Sequence, residues 1–133
     1  MLFRSLDTNI LVRYFVRDDP EQTRKAINFV HGLSPAEPGW VALATILELF
    51  WAASRIYRVD KAGLIRILDT LLSSRDMFVE RDETVREALG RYRMGSADFP
   101  DCLIAASAQA AGCTRTVTFD RIAARDAGME LLA

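Results

Sequence analysis

The stretch Leu2-Phe3-Arg4-Ser5-Leu6-Asp7-Thr8-Asn9-Ile10-Leu11-Val12 sets the reading of the chain. Leu2 to Leu6 predicts a short strand and Asn9 to Arg17 a helix, with Asp7 at the junction. The same strand-then-helix order recurs downstream, which predicts an α/β fold on a parallel sheet. Pro20 to Leu33 predicts a second helix, capped by Asp18 or Asp19 with Pro20 in its first turn. The run Ser34 to Gly39 is a loop by composition. Trp40 to Leu43 is a short strand. Ala44 to Tyr57 is a helix with few polar positions, expected to be buried. Asp60 caps a helix running to about Ser74, and Met77 to Glu80 is a third strand. Asp82 to Arg93 is a helix stopped by Gly95. Pro100 to Ala111 is a helix of small apolar residues stopped by Gly112. Arg115 to Phe119 is a fourth strand. A short helix follows Asp120, and Met129 to Leu132 is a last strand.

The bulk numbers fit one packed domain over residues 1–133, with 50% hydrophobic residues and no linker, repeat or low-complexity stretch. Net charge is −1, so no basic excess marks a tight grip on nucleic acid. The positive charge is almost all arginine, with Lys25 and Lys61 the only lysines, and arginine suits bidentate phosphate contacts. Cys102 and Cys113 show no zinc-binding spacing and are expected to be reduced and buried. The start lacks the long apolar core of a signal peptide, and the apolar stretch from Val41 to Ala53 is too short to span a membrane. A cytoplasmic protein is expected.

In an open parallel sheet, ligands bind at the carboxyl ends of the strands. Asp7 directly follows strand one and Asp120 directly follows strand four. Glu48 lies in the second turn of the helix after strand two. Asp101 lies in the first turn of the alanine-rich helix, with Asp98 just before it. All five carboxylates are expected at one rim. Such a cluster raises its own pKa values unless a counter-charge is present, and hard, oxygen-seeking divalent cations supply one. One or two ions can activate a water and stabilise the leaving oxygen of a phosphodiester.

Each acid also has a plainer role open to it. Asp7, Asp98 and Asp120 can cap helices. Asp101 can complement a helix dipole. Glu48 interrupts Ile46-Leu47-Glu48-Leu49-Phe50-Trp51 and can sit on an exposed helix edge with Thr45, Ala52 and Arg55.

Four of these segments together resemble the motifs of PIN-domain nucleases. They are Leu6-Asp7-Thr8-Asn9-Ile10-Leu11, Ile46-Leu47-Glu48-Leu49, the run from Ala97-Asp98-Phe99-Pro100-Asp101 to Ala106, and Thr118-Phe119-Asp120-Arg121. Their order covers essentially the whole chain. Within that family the sequence is most similar to VapC-type toxins of type II toxin–antitoxin modules. The resemblance implies a three-layer α/β/α fold with a central, mostly parallel sheet of four to five strands. It implies an endoribonuclease dependent on Mg²⁺ or Mn²⁺, acting on tRNA or other structured RNA. It also implies a cognate antitoxin protein and a homodimer as the working unit. Asp7, Glu48, Asp101 and Asp120 would be the catalytic and metal-holding acids, with Asp98 supporting. Thr8, Asn9 and Thr118 would orient ligands and waters by hydrogen bonds. The third motif departs at Pro100, where a small residue is more usual, and a helix tolerates proline in its first turn.

Arg13, Arg17 and Arg121 are candidates for RNA contact, with Arg91, Arg93 and Arg115 as further flanking arginines. His31, the only histidine, reads as a solvent-facing residue at a helix end. Trp51 and Tyr57 are expected in the core; if exposed, they suit an antitoxin groove or dimer face better than base stacking. Among rivals, a receiver domain needs a late lysine, and none lies beyond Lys61. A haloacid-dehalogenase phosphatase needs Asp-x-Asp where Asp7-Thr8-Asn9 stands. A PIN scaffold used for RNA binding or housekeeping RNA processing is the alternative function.

Overall fold

The computed structural model describes residues 2–132, so residues 1 and 133, the ends of the expected domain, lie outside the described residues. The chain divides after Glu80 into two compact units.

The first unit runs β1 (Arg4–Ser5), α1 (Thr8–Val16), α2 (Pro20–His31), β2 (Gly39–Val41), α3 (Leu43–Trp51), a π-helical turn (Ala52–Ile56), α4 (Lys61–Ser73) and β3 (Met77–Val79). The strands form a parallel sheet in the order β1-β2-β3. Arg4 faces Gly39, and Gly39 in turn faces Met77. Backbone pairing continues past β1, where the Leu6 N–H donates to the Trp40 carbonyl at 3.0 Å. In β2 and β3, Gly39, Val41, Met77 and Val79 are buried while Phe78 is exposed, the alternation a pleated strand imposes. Gly39 is held to glycine by close approach, because a Cβ there would stand 2.7 Å from Leu6 Cδ1. Leu11, Val41, Ile46, Leu49, Leu68 and Leu71 fill the core of this unit.

The second unit runs α5 (Asp82–Met94), α6 (Phe99–Ala110), β4 (Val117–Thr118), α7 (Arg121–Asp126) and β5 (Glu130–Leu131). β4 and β5 pair in parallel. The helices α5 and α6 lie against each other, with the rings of Tyr92 and Phe99 edge-to-face at 6.0 Å. Gly112, at φ 89°, supplies the left-handed turn that ends α6.

The α/β class and the parallel pairing are as expected. The five strands are hydrogen-bonded as a three-stranded and a two-stranded sheet, where one central sheet was expected. The helix caps are also as expected. Asp19 Oδ1 accepts from the Gln22 N–H at 3.1 Å, and Asp60 Oδ1 from the Gly63 N–H at 2.9 Å.

Three expectations are corrected. Cys113 is exposed, whereas Cys102 is buried; Cys113 follows the Gly112 turn and so leaves the apolar face of α6. Trp51 is 53% exposed and not in the core. The helix expected from Ala44 to Tyr57 changes to π-helical geometry after Trp51, and its end is open, with Ile56 exposed too. Among the described residues no helix is long and apolar enough to cross a membrane.

Candidate active site

In the first unit, β1 delivers Asp7 to the start of α1. Its neighbour β2 leads through Ala42 into α3, which carries Glu48 one turn further on. Because β1 and β2 are parallel neighbours, the elements that follow them begin on the same rim. Asp7 and Glu48 accordingly line one cavity of about 580 Å³, together with Thr8, Asn9, Leu47, Trp51, Ala52 and Ile56.

Asp7 caps α1, its Oδ1 accepting from the Thr8 N–H at 2.8 Å. Among the described residues its Oδ2 has no hydrogen-bond partner, so capping leaves an oxygen available. Glu48 is exposed on the edge of α3, beside Ala52 and Arg55. Thr45, expected on that edge, is buried instead. Thr8 Oγ1 is buried and has no hydrogen-bond partner among the described residues. A buried hydroxyl without a partner is costly, and this one belongs to a residue of the cavity wall.

Glu80 is a contributor the sequence did not reveal. Ala42 offers α3 no side-chain cap, and the Leu43 N–H donates to Glu80 Oε1 at 2.8 Å. The Glu80 N–H in turn donates to the Val41 carbonyl at 2.9 Å. This residue, at the end of β3, thereby pins the start of the helix that carries Glu48. No local pattern could have found a cap 37 residues away.

In the second unit, Asp98 caps α6, accepting from the Phe99 N–H at 3.0 Å through Oδ1. Asp101 follows in the first turn of the same helix. Asp120 caps α7, its Oδ1 accepting from the Ile122 and Ala123 N–H groups at 2.8 and 3.0 Å. Thr118 Oγ1 accepts from the Asp120 N–H at 3.0 Å and fixes the turn that presents this carboxylate.

The half-buried Asp101 carboxyl is raised above its ordinary value, first by desolvation and then by repulsion from Asp120 and Asp98. The three acids are therefore electrostatic neighbours, even though a helix N-terminus favours anions. Asp101 has no hydrogen bond or ion pair among the described residues. A positive charge placed there would relieve the repulsion. Burial and the nearby Asp98 hold the Tyr92 phenol above its ordinary value.

Among the described residues no three His, Cys, Asp or Glu side chains are gathered closely enough to hold an ion as they stand. The donor chemistry does fit a hard divalent cation. Each capping aspartate keeps a free oxygen, Asp101 and Glu48 are unpaired, and the orphaned Thr8 hydroxyl is an oxygen as well.

The arginine candidates separate clearly. Arg13 donates to Gln22 at 2.7 Å, Asp18 at 2.6 Å and the Tyr57 hydroxyl at 3.0 Å, and the Tyr57 and Asp18 bonds raise its pKa further. Arg17, in the left-handed conformation that ends α1, donates to the Tyr14 carbonyl and lies over the Tyr14 ring. Arg91 holds the Ala127 carbonyl, and Arg115 pairs with Glu130. Arg121 is exposed next to Asp120 and has no partner among the described residues. His31 is exposed at the end of α2, as expected.

This chain belongs to the PIN domain family, which it matches over residues 5–128. It is similar to a VapC ribonuclease of Aquifex aeolicus (strain VF5), 27% identical over 117 residues that cover 87% of this chain and 86% of that protein. PIN-domain nucleases generally use divalent metal ions.

Proposed function

We propose that this chain is a divalent-metal-dependent endoribonuclease and the toxin of a type II toxin–antitoxin module. It hydrolyses phosphodiester bonds in tRNA or other structured RNA in the cytoplasm. A cognate antitoxin silences it, and it works as a homodimer. Residues 1–133 form one catalytic domain. The observation that carries this reading is the unpaired Asp101 beside Asp98 and Asp120, within a PIN-family chain. Likeness to a curated VapC ribonuclease supports the substrate class and the toxin role.

Asp7, Glu48, Asp101 and Asp120 would hold Mg²⁺ or Mn²⁺, which would lower the pKa of an attacking water and stabilise charge on the leaving oxygen. Asp98 adds negative charge that draws a cation to Asp101. Thr118 orients Asp120 through its backbone N–H. Thr8 and Asn9, on the cavity wall, support the ligands and waters of the site by hydrogen bonds. Arg121 contacts the RNA backbone. Arg13 and Arg17 act on the fold, since their guanidinium groups are already engaged.

The test is cleavage of pooled tRNA and structured RNA by the purified, antitoxin-free protein. It is run with Mg²⁺ or Mn²⁺, with chelator, and with Asp101→Asn beside wild type. Cutting should require metal and vanish in the variant. A wild type that binds metal but cuts none of these RNAs would defeat the proposal.

A further inference from the structure

Trp51 lies three residues beyond Glu48 on α3, so the two side chains share a helix face. Both line the cavity that holds Asp7 and the orphaned Thr8 hydroxyl. The neighbouring Leu49 and Phe50 are 0% and 4% exposed, whereas Trp51 is 53% exposed. One turn further, in the π-helical segment, Arg55 places its guanidinium carbon 5.4 Å from the Trp51 ring centroid. Single-turn π segments recur at functional sites. Here the segment follows directly on the residue whose ring stays open.

We propose that the Trp51 ring is a nucleobase platform, on which a base of the RNA next to the cut bond stacks while Arg55 meets that nucleotide's phosphate. This deepens the ribonuclease reading and rests on it. Platforms for single strands combine an aromatic face with positive charge along the backbone. Trp51 and Arg55 are such a pair, and the cavity that Trp51 lines also carries Asp7 and Glu48, two of the acids assigned to the chemistry. A protein interface core also favours Trp and Arg but is depleted of Glu and Asp, and this wall carries Glu48 and Asp7. Along the helix Trp51 follows Glu48, and the Arg55 guanidinium lies against its ring. A nucleotide brings a phosphate to Arg55 and an aromatic face to the indole.

The experiment uses the full chain, a short single-stranded RNA, and the variants Trp51→Phe and Trp51→Leu. In chelator, the RNA should quench tryptophan emission in wild type, and Trp51→Phe should abolish that quenching and leave only the Trp40 signal. With metal, Trp51→Leu should raise KM by about fivefold to a hundredfold with little change in kcat, and Trp51→Phe should restore most of the loss. Wild-type KM in Trp51→Leu, or unchanged emission on adding RNA, would overturn the platform. So would a wild-type dimer that becomes a monomer in Trp51→Leu by sedimentation, because the face would then belong to a second copy of the chain. If wild type is quenched by RNA but cuts none, the platform stands as an RNA-binding site and the nuclease reading fails.

Discussion

The two units present their acids in different ways. In the first, Asp7 and Glu48 are exposed on the wall of a wide cavity, next to a buried hydroxyl with no partner and an open indole. In the second, Asp101 is half-buried and crowded by Asp98 and Asp120. The first unit offers space and recognition, and the second offers unbalanced negative charge.

Substitutions that affect one role and spare the other separate the two units. The largest effect is expected from Asp101→Asn, which should lower kcat by more than about 100-fold, since even indirect supports of a metal site are worth 10- to 100-fold. The same variant should melt higher than wild type in metal-free buffer at neutral pH. The sign follows from the raised carboxyl. Between its unfolded value and its higher folded value, the native state keeps a proton that the unfolded chain has released. Stability from this group therefore falls as pH rises through that window. The advantage of Asp101→Asn should shrink below about pH 4, where both states of the wild-type carboxyl are protonated. Thermal melts across pH check this.

Thr8→Val should lower cleavage by about tenfold while leaving the apo melting temperature unchanged or higher, because the lost hydroxyl had no partner. A clear drop in stability would instead mean that the hydroxyl is satisfied within the fold. Glu80→Ala should cost about 1 kcal/mol of stability by uncapping α3, with Glu80→Gln milder because an amide oxygen can still accept. Denaturant titration measures it. The smallest effect should come from Arg121→Gln, a few-fold rise in KM and a salt slope shallower by about one. Arg13→Gln should act on stability instead, since its guanidinium ties Asp18 and Gln22 to Tyr57.

Much of this was legible in the sequence because it is written locally. Asp19-Pro20, Asp60 and Gly112 are punctuation whose physics needs only neighbouring residues, and they bound helices as expected. Asp7 and Asp120 directly follow strands, so the alternation alone puts them at strand ends. Capping and a site role proved compatible for both, since each cap uses one carboxylate oxygen.

What escaped depends on distant contacts or on register. The Glu80 cap spans 37 residues. The openness of Trp51 is set by the change from α to π geometry just after it, which no apolar periodicity signals. The resemblance gave Thr8 a hydrogen-bonding role, but that its hydroxyl is buried without a partner among the described residues depends on the packed structure. The engagement of Arg13 required Tyr57, 44 residues on, to be brought beside α1.

The central claim is that Glu48 and Asp101 are each metal ligands of the proposed nuclease. Calorimetric titration of Mn²⁺ into the wild type, Glu48→Gln and Asp101→Asn tests it most directly. The account expects either substitution to weaken binding by at least about tenfold. Wild-type affinity in one of the variants would contradict it, because that acid would then lie outside the metal centre.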